Sequence, residues 1–240
     1  MKKFIKQNIN NIFVLLIYIA MFFGVAELTP IIFGDLVQTE SQKILFTILN
    51  NVFIYSILFV SCVILLKKEV ITDFKILEKQ NAIKVFLICL AGIGLVYAGN
   101  FVGNIIVTIL GGEDNSLNQS AIEKILLSKY GFVMIIFLVV IGPISEELVF
   151  RKSLHNILRS FKLPTWLVLV ISSILFGFIH VISGGDFIQV FPYIFMGATF
   201  GWLEIKTKNI YPSIFVHIYN NAISLSLIYY LDIFEELLGL

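Results

Sequence analysis

Long apolar runs separated by short polar segments dominate the pattern along this chain. A bilayer core about 30 Å thick is crossed by roughly 20 apolar residues in a helix, and these runs lack the alternation of barrel strands. Seven runs are candidate spans: Ile12–Ala26, Ile44–Leu66, Val85–Leu110, Phe132–Leu148, Trp166–Ile182, Phe187–Leu203 and Tyr211–Leu231. We therefore predict an all-α, polytopic transmembrane helical bundle with seven spans. An eighth, interfacial helix near Ala121–Tyr130 is the alternative.

Composition supports a membrane protein. Hydrophobic residues make up 58% and charged residues 14% of the 240 residues, whereas soluble domains average roughly 45–50% and about 25%. The formal net charge of +1 gives no reason to expect a nucleic acid partner. Cys62 and Cys89 both lie inside apolar runs, so no disulfide is expected.

The basic residues predict the orientation, because cytoplasmic segments of membrane proteins are enriched in Lys and Arg. With the N-terminus in the cytoplasm, only Lys43, Lys124 and Lys129 of the 17 basic residues lie outside. The other basic residues are Lys2, Lys3, Lys6, Lys67, Lys68, Lys75, Lys79, Lys84, Arg151, Lys152, Arg159, Lys162, Lys206 and Lys208. We predict a multi-pass cell-membrane protein with a cytoplasmic N-terminus and an extracellular C-terminus.

Small residues recur at helical spacing in two spans. Gly99 and Gly103 in the third span, and Gly197 and Gly201 in the sixth, are each four residues apart. This spacing predicts that a second helix approaches each glycine face closely.

Ionisable residues in the fourth span are costly, at roughly 2.5–3.5 kcal/mol each near a helix centre. Glu147 and Arg151 are four residues apart, so a helix would stack them as an ion pair. Glu146 then points about 100° away and is left available. The competing interpretation places both glutamates in solvent at the cytoplasmic end, with Arg151 snorkelling.

Polar residues also interrupt two later spans. His180 ends an otherwise apolar stretch, and a hydrogen bond to a neighbouring helix or an interfacial position would also explain it. His217 and Asn221 are four residues apart and face the same way. Polar contacts between helices are the competing interpretation of this pair. His155, among basic residues, is predicted to be a surface residue.

Helix rise links two of these positions. Glu146 is 16 residues before Lys162, and His180 is 18 residues after it. A hairpin that turns there places both side chains about 24–27 Å from the turn. This requires one helix to continue past Pro143. By the same count of helix rise, His217 lies closer to the cytoplasmic side than His180 does. The sequence does not resolve this difference in depth.

A carboxylate, two histidines and an amide at membrane depth suit hydrolysis in a water-filled cavity. The chain contains no His-Glu-x-x-His zinc helix and no Gly-x-Ser-x-Gly elbow. Non-enzymatic binding of a peptide or membrane protein is an alternative. A transporter is a second alternative, since intramembrane Glu and His form proton relays, but no inverted repeat is visible.

Three motifs carry a family resemblance: Glu146-Glu147-x-x-x-Arg151, Phe176-x-x-x-His180 and His217-x-x-x-Asn221. In this order they resemble the CAAX protease and bacteriocin-processing family, which includes type II CAAX prenyl endopeptidases. The resemblance extends over Phe132–Tyr230. It divides the chain into motif-free transmembrane helices, residues 1–130, and a catalytic membrane core, residues 131–240. Relatives of this family are associated with bacteriocin immunity.

The resemblance implies an intramembrane endopeptidase that acts on a peptide or a membrane protein in the lipid bilayer. Glu146 would be the general base that activates water, aided by His180. His217 and Asn221 would then stabilise the oxyanion.

The resemblance also gives the ion pair of Glu147 and Arg151 a supporting role in the helix geometry. We expect no cofactor, because an oxyanion hole explains the His/Asn pair most economically. The alternative is Zn²⁺ held by Glu146, His180 and His217, with one position open for water.

Overall fold

The computed structural model describes residues 2–113 and 115–238, with side chains for residues 4, 7–113 and 115–232. Within these residues the fold is helical, without a strand. The described helices are α1 (2–36), α2 (Glu40–Leu65), α3 (Lys67–Leu77), α4 (Ala82–Ile109), α5 (Leu117–Leu126), α6 (Phe132–Ser160), α7 (Thr165–Val181), α8 (Val190–Thr207) and α9 (Tyr211–Leu238). The C-terminal residues 239–240, predicted to be extracellular, lie outside the described residues, as does Asp114 in a predicted outer segment.

Five helical segments of the described chain are long and apolar enough to cross a membrane. They are Gln7–Leu36, Glu40–Leu65, Ala82–Ile109, Phe132–Ser160 and Tyr211–Asp232. The all-helical class is confirmed. The fifth and sixth predicted spans correspond to α7, which is shorter, and α8, which is not among the five. The count of seven spans and the orientation stay predictions.

Two short helices complete the connections. The predicted interfacial helix is present as α5, which begins four residues earlier than expected. The sequence analysis missed α3, although Val70, Asp73, Phe74 and Leu77 repeat at helical spacing. Asp73 is buried and accepts hydrogen bonds from the Lys152 ammonium, at 2.6 Å, and from the backbone N–H of Ile210, immediately before α9. The helix α3 is thereby fixed beneath α6 and α9.

Close helix packing confirms the role predicted for the glycines. A Cβ on Gly99 would lie 2.7 Å from Phe195, and a Cβ on Gly103 would lie 2.6 Å from the Pro192 nitrogen. A Cβ on Gly201 would lie 2.6 Å from a Leu169 methyl group. The first two contacts join α4 to α8, and the third joins α8 to α7. These three helices are therefore tightly packed against one another.

The motif helix α6 is continuous through Pro143, as the depth argument required. Two segments of α6 have π-helical turns, which are wider than α-helical turns: Phe137–Ile141 and Leu148–Leu154. Proline lacks an N–H and clashes with the preceding turn, and a π-helical turn accommodates such a residue without ending the helix. Cys62 and Cys89 are buried and free, as expected.

Candidate active site

The π-helical turns bracket the two glutamates of the first motif. Gly142 N–H bonds to the carbonyl of Phe137 in the π pattern, and Pro143 has no N–H to donate. The carbonyl of Leu138 is therefore left without a partner in its own helix. The Asn221 side chain donates to it at 2.9 Å. Asn221 thus joins α9 to α6 immediately before the glutamates.

Glu147 is fully buried and has three polar partners. It accepts a hydrogen bond of 2.5 Å from the Ser213 hydroxyl and one of 2.9 Å from His217 Nδ1. The Arg151 guanidinium lies 3.3 Å from its Oε1, and neither side chain of this ion pair is exposed. The ion pair inferred from the spacing is confirmed, and the solvated interpretation is wrong for it.

Arg151 is held by more than its carboxylate. Its Nη2 donates to the carbonyl of Gly197 at 2.9 Å. Its guanidinium carbon lies 4.4 Å from the centroid of the Phe176 ring, a stacking geometry that suits the planar, weakly hydrated guanidinium. A larger residue at position 197 would hinder this approach, because its Cβ would lie 3.1 Å from Phe176. Arg151 therefore joins α6, α7 and α8.

His217 lies beside both glutamates. Its Nδ1 bonds to Glu147, and its Nε2 lies 3.7 Å from Glu146 Oε2. Its ring stacks on Phe200, with centroids 4.3 Å apart. The depth mismatch expected for His217 is absent: its ring reaches both glutamates. The π-helical turns of α6 change the depth that a count of regular α-helical turns assigns.

His180 faces the same space from α7. Its Nδ1 donates to the carbonyl of Phe176 at 2.8 Å, which leaves Nε2 as the acceptor in the neutral ring. The ring stacks on Tyr193, with centroids 4.6 Å apart. Glu146 and His180 line one cavity, as the hairpin argument predicted.

The cavity has a volume of about 310 Å³ and is lined by motif side chains. Glu146, His180, His217 and Asn221 all line it, and Glu146 is the one carboxylate among its described lining residues. Carboxamides form much of the remaining wall: Asn100, Asn104, Asn115, Asn118, Gln119 and Gln189. The cavity is therefore polar inside an apolar bundle, as a water-filled site requires.

Sequence reasoning missed these amides and two tyrosines, Tyr55 and Tyr193, that also line the cavity. Asn100 and Asn104 carried a usable signal, since they are four residues apart on one face of an otherwise apolar span. The buried Oδ1 of Asn100 has no hydrogen-bond partner in the described structure. The tyrosines are ordinary residues of amphipathic helix faces, and nothing in the sequence distinguishes them.

The zinc alternative concerns the Nε2 atoms of His180 and His217. Both histidines have Nδ1 hydrogen-bonded and Nε2 unbonded, which is also how metal-ligating histidines are arranged. Among the described residues, however, no group of three or more His, Cys, Asp or Glu side chains could hold a metal ion. The metal-free hypothesis and the Zn²⁺ alternative both stay predictions.

The prediction for His155 was wrong. The side chain is fully buried, and its Nδ1 lies 3.0 Å from Glu204 while its Nε2 lies 2.8 Å from the Ser172 hydroxyl. Arg159 completes this group with an ion pair of 2.7 Å to Glu204. The basic neighbours in the sequence suggested a solvated face, but the π-helical turn before His155 directs it between α7 and α8.

Three known proteins are similar to this chain. YdiL of Bacillus subtilis, to which a membrane peptidase function is ascribed, is 32% identical over 127 residues, 53% of this chain and 49% of YdiL. The membrane-embedded CAAX protease MroQ of Staphylococcus aureus is 30% identical over 139 residues, 55% of this chain and 54% of MroQ. A Schizosaccharomyces pombe protein assigned as CAAX prenyl protease 2 is 27% identical over 107 residues, 38% of this chain and 40% of that protein.

The chain thus spans about half the length of the first two relatives. No solved structure matches it. The family model of the Rce1-like type II CAAX prenyl endopeptidases matches residues 128–223, which contain all three motifs. The resemblance read from those motifs is confirmed: the segment that carries them is similar to the Rce1-like type II CAAX prenyl endopeptidases.

Proposed function

We propose that this protein is an intramembrane endopeptidase that hydrolyses a peptide bond with water activated by Glu146. One observation carries the proposal: Glu146 faces the cavity, whereas its neighbour Glu147 is fully buried and bonded to Ser213, His217 and Arg151. The chain therefore holds one structural carboxylate and one carboxylate with access to a substrate. Membrane-embedded proteases among the relatives support the same reaction class.

In this mechanism, Glu146 accepts a proton from a water molecule as the water oxygen attacks the carbonyl carbon of the scissile bond. His180 Nε2, which has no proton in the neutral ring, accepts a hydrogen bond from the other O–H of that water and orients it. Glu146 then gives its proton to the leaving amine. Atoms and charge balance without a further reactant.

Asn221 and His217 stabilise the oxyanion. One N–H of the Asn221 amide is bonded to Leu138, and the second remains available to the substrate. His217 is held by the bond from its Nδ1 to Glu147, and its Nε2 lies 3.7 Å from Glu146 Oε2. Glu147 and Arg151 do not touch the substrate and instead fix the orientation of His217. Preorganised donors of this kind are worth about 3–4 kcal/mol when they are aimed at the oxyanion.

The amides of the cavity wall bind the main chain of the substrate. Asn100 and Asn104 stand one helical turn apart on α4, about 6 Å along its axis, and both face the cavity. A carboxamide can donate to a peptide carbonyl and accept from a peptide N–H at once. Two such groups therefore suit an extended peptide segment and favour no particular side chain.

The proposal is tested with purified protein in detergent and a defined mixture of synthetic peptides, half with free and half with amidated C-termini, analysed by mass spectrometry. We expect cleavage by the native protein and none by Glu146→Gln, which keeps the size of the side chain but removes the base. A chelator should leave cleavage unchanged. Loss of cleavage with chelator and recovery with Zn²⁺ would instead establish the metal alternative. A cellular phenotype that survives Glu146→Gln combined with His180→Ala would favour the binding-protein alternative.

A further inference from the structure

A second groove lies between α4 and α8, far from the catalytic cavity. Its volume is about 480 Å³. The first turns of α4 form one of its walls. Lys84 in this wall is about 30 Å along the helix from Asn104 of the catalytic cavity. The walls are apolar and consist of Ile83, Leu87, Ile88 and Ala91. The outer two of these, Ile83 and Leu87, are 71% and 57% exposed, so the groove opens toward the surrounding lipid.

Two lysines stand at the rim of this groove. Lys84 comes from the first turn of α4, and Lys206 from the last turn of α8. Both side chains are exposed, and within the described part of the chain neither forms an ion pair. A cation at the start of a helix is disfavoured by the helix dipole, and an anion between the two lysines would relieve that cost.

The third rim residue is Trp202, which is half-buried one helical turn before Lys206. Indole rings favour the level of lipid headgroups because the ring is apolar while its N–H needs a partner. The groove thus has an apolar part at acyl-chain level and cationic and indole groups at headgroup level. Asn81, whose side chain caps α4 by accepting from Lys84 N–H, closes the rim.

We propose that this groove is a binding site for one anionic phospholipid. The lipid phosphate lies between the Lys84 and Lys206 ammonium groups, and one acyl chain lies along Leu87, Ile88 and Ala91. Charge complementarity selects this occupant, since two unpaired cations at headgroup level attract anionic lipid by roughly 1 kcal/mol each. A zwitterionic lipid would fill the same apolar walls without that preference. The site is independent of the proposed catalytic function.

Trp202 provides a direct test. Because the chain contains two tryptophans, Trp166→Phe leaves Trp202 as the single fluorescent reporter. This variant is reconstituted in phosphatidylcholine bilayers that contain a small, equal fraction of brominated phosphatidylglycerol or of brominated phosphatidylcholine, whose bromines quench indole on contact. We expect occupancy by phosphatidylglycerol to exceed occupancy by phosphatidylcholine about thirtyfold at equal mole fraction.

Matched variants assign the preference to the groove. The change Lys84→Gln with Lys206→Gln should remove it, whereas Lys67→Gln with Lys68→Gln, the same change of charge on exposed lysines outside the groove, should leave it intact. Lys84→Arg with Lys206→Arg should also retain it, which separates loss of charge from loss of folding. Equal quenching by the two brominated lipids in the parent variant overturns the proposal. Survival of the preference in the glutamine pair overturns it as well.

Discussion

Two buried histidine clusters in this protein have similar chemistry but different surroundings. The cavity cluster consists of Glu146, Glu147 and His217. The closed cluster consists of His155, Glu204, Ser172 and Arg159. In the closed cluster, hydrogen bonds of 2.8 Å and 3.0 Å run from serine through histidine to glutamate. This is the connectivity of a Ser-His-acid triad.

Access to a cavity distinguishes the two clusters. His155 and Ser172 have no exposed surface, and neither lines the catalytic cavity. Glu146 has a relative exposure of 8% and faces a space of about 310 Å³. A hydrogen-bonded triad is therefore insufficient evidence for catalysis. What a buried polar cluster can do depends on whether a reacting atom can reach it.

The largest expected difference between the clusters is in turnover. Glu146→Gln should lower peptide cleavage by about 10⁴-fold, the upper end of a general base's contribution, because no other carboxylate of the described lining faces the cavity. The matched change Glu204→Gln in the closed cluster should leave turnover per folded molecule nearly unchanged. Initial rates on a cleaved peptide, normalised to folded protein by size-exclusion chromatography, measure both. The reverse result would make the closed cluster the active one.

Within the cavity cluster, the buried ion pair should govern stability. Arg151→Ala leaves Glu147 charged and without its cation in a fully buried place, and breaking such a pair costs about 3–5 kcal/mol. We expect a large drop in the melting temperature in detergent and lower accumulation in the membrane. The double variant Glu147→Gln, Arg151→Met should recover part of the loss. An unchanged melting temperature for Arg151→Ala would show that the pair contributes nothing.

Asn221→Ala should reduce activity by less than Glu146→Gln does. Losing one oxyanion donor costs about 10²–10³-fold in turnover. The same change leaves the Leu138 carbonyl without its partner, so stability should also fall by about 1–3 kcal/mol. The adjacent Asn220→Ala, which removes a cavity amide that bonds at 3.3 Å to Asn221, is the control. If both alanine variants lower turnover equally, Asn221 has no special position toward the oxyanion.

The smallest effect is expected in the closed cluster. Ser172→Ala removes one neutral hydrogen bond to His155, which should lower stability by about 0.5–1.5 kcal/mol and leave the pH profile of cleavage unchanged. Thermal unfolding and a pH–rate profile measured on the same preparation test the two parts separately. Loss of cleavage at unchanged melting temperature would mean that Ser172 acts as a nucleophile.

The sequence by itself determined the features that depend on local geometry and on hydropathy. Long apolar runs must become helices in lipid because the backbone has no other partner there. The spacing of Glu147 and Arg151 determined their ion pair, since residues four apart share a helix face. The same rule identified Glu146 as the separate carboxylate, and the glycine spacing predicted that another helix packs closely against α4.

Only the tertiary structure decided which helices supply partners to these groups. Ser213 reaches Glu147, and Asn221 reaches Leu138, across 66 and 83 residues of chain. The spacing of His155 among basic residues indicated a solvated face, yet packing of α6 against α7 and α8 buries it. The amides of α4 became cavity residues because the adjacent glycine face of that helix packs against α8 and places them beside the cavity. Such contacts depend on helix tilt and on π-helical turns, which no short-range pattern encodes, and they separate the cavity that admits a substrate from the cluster that does not.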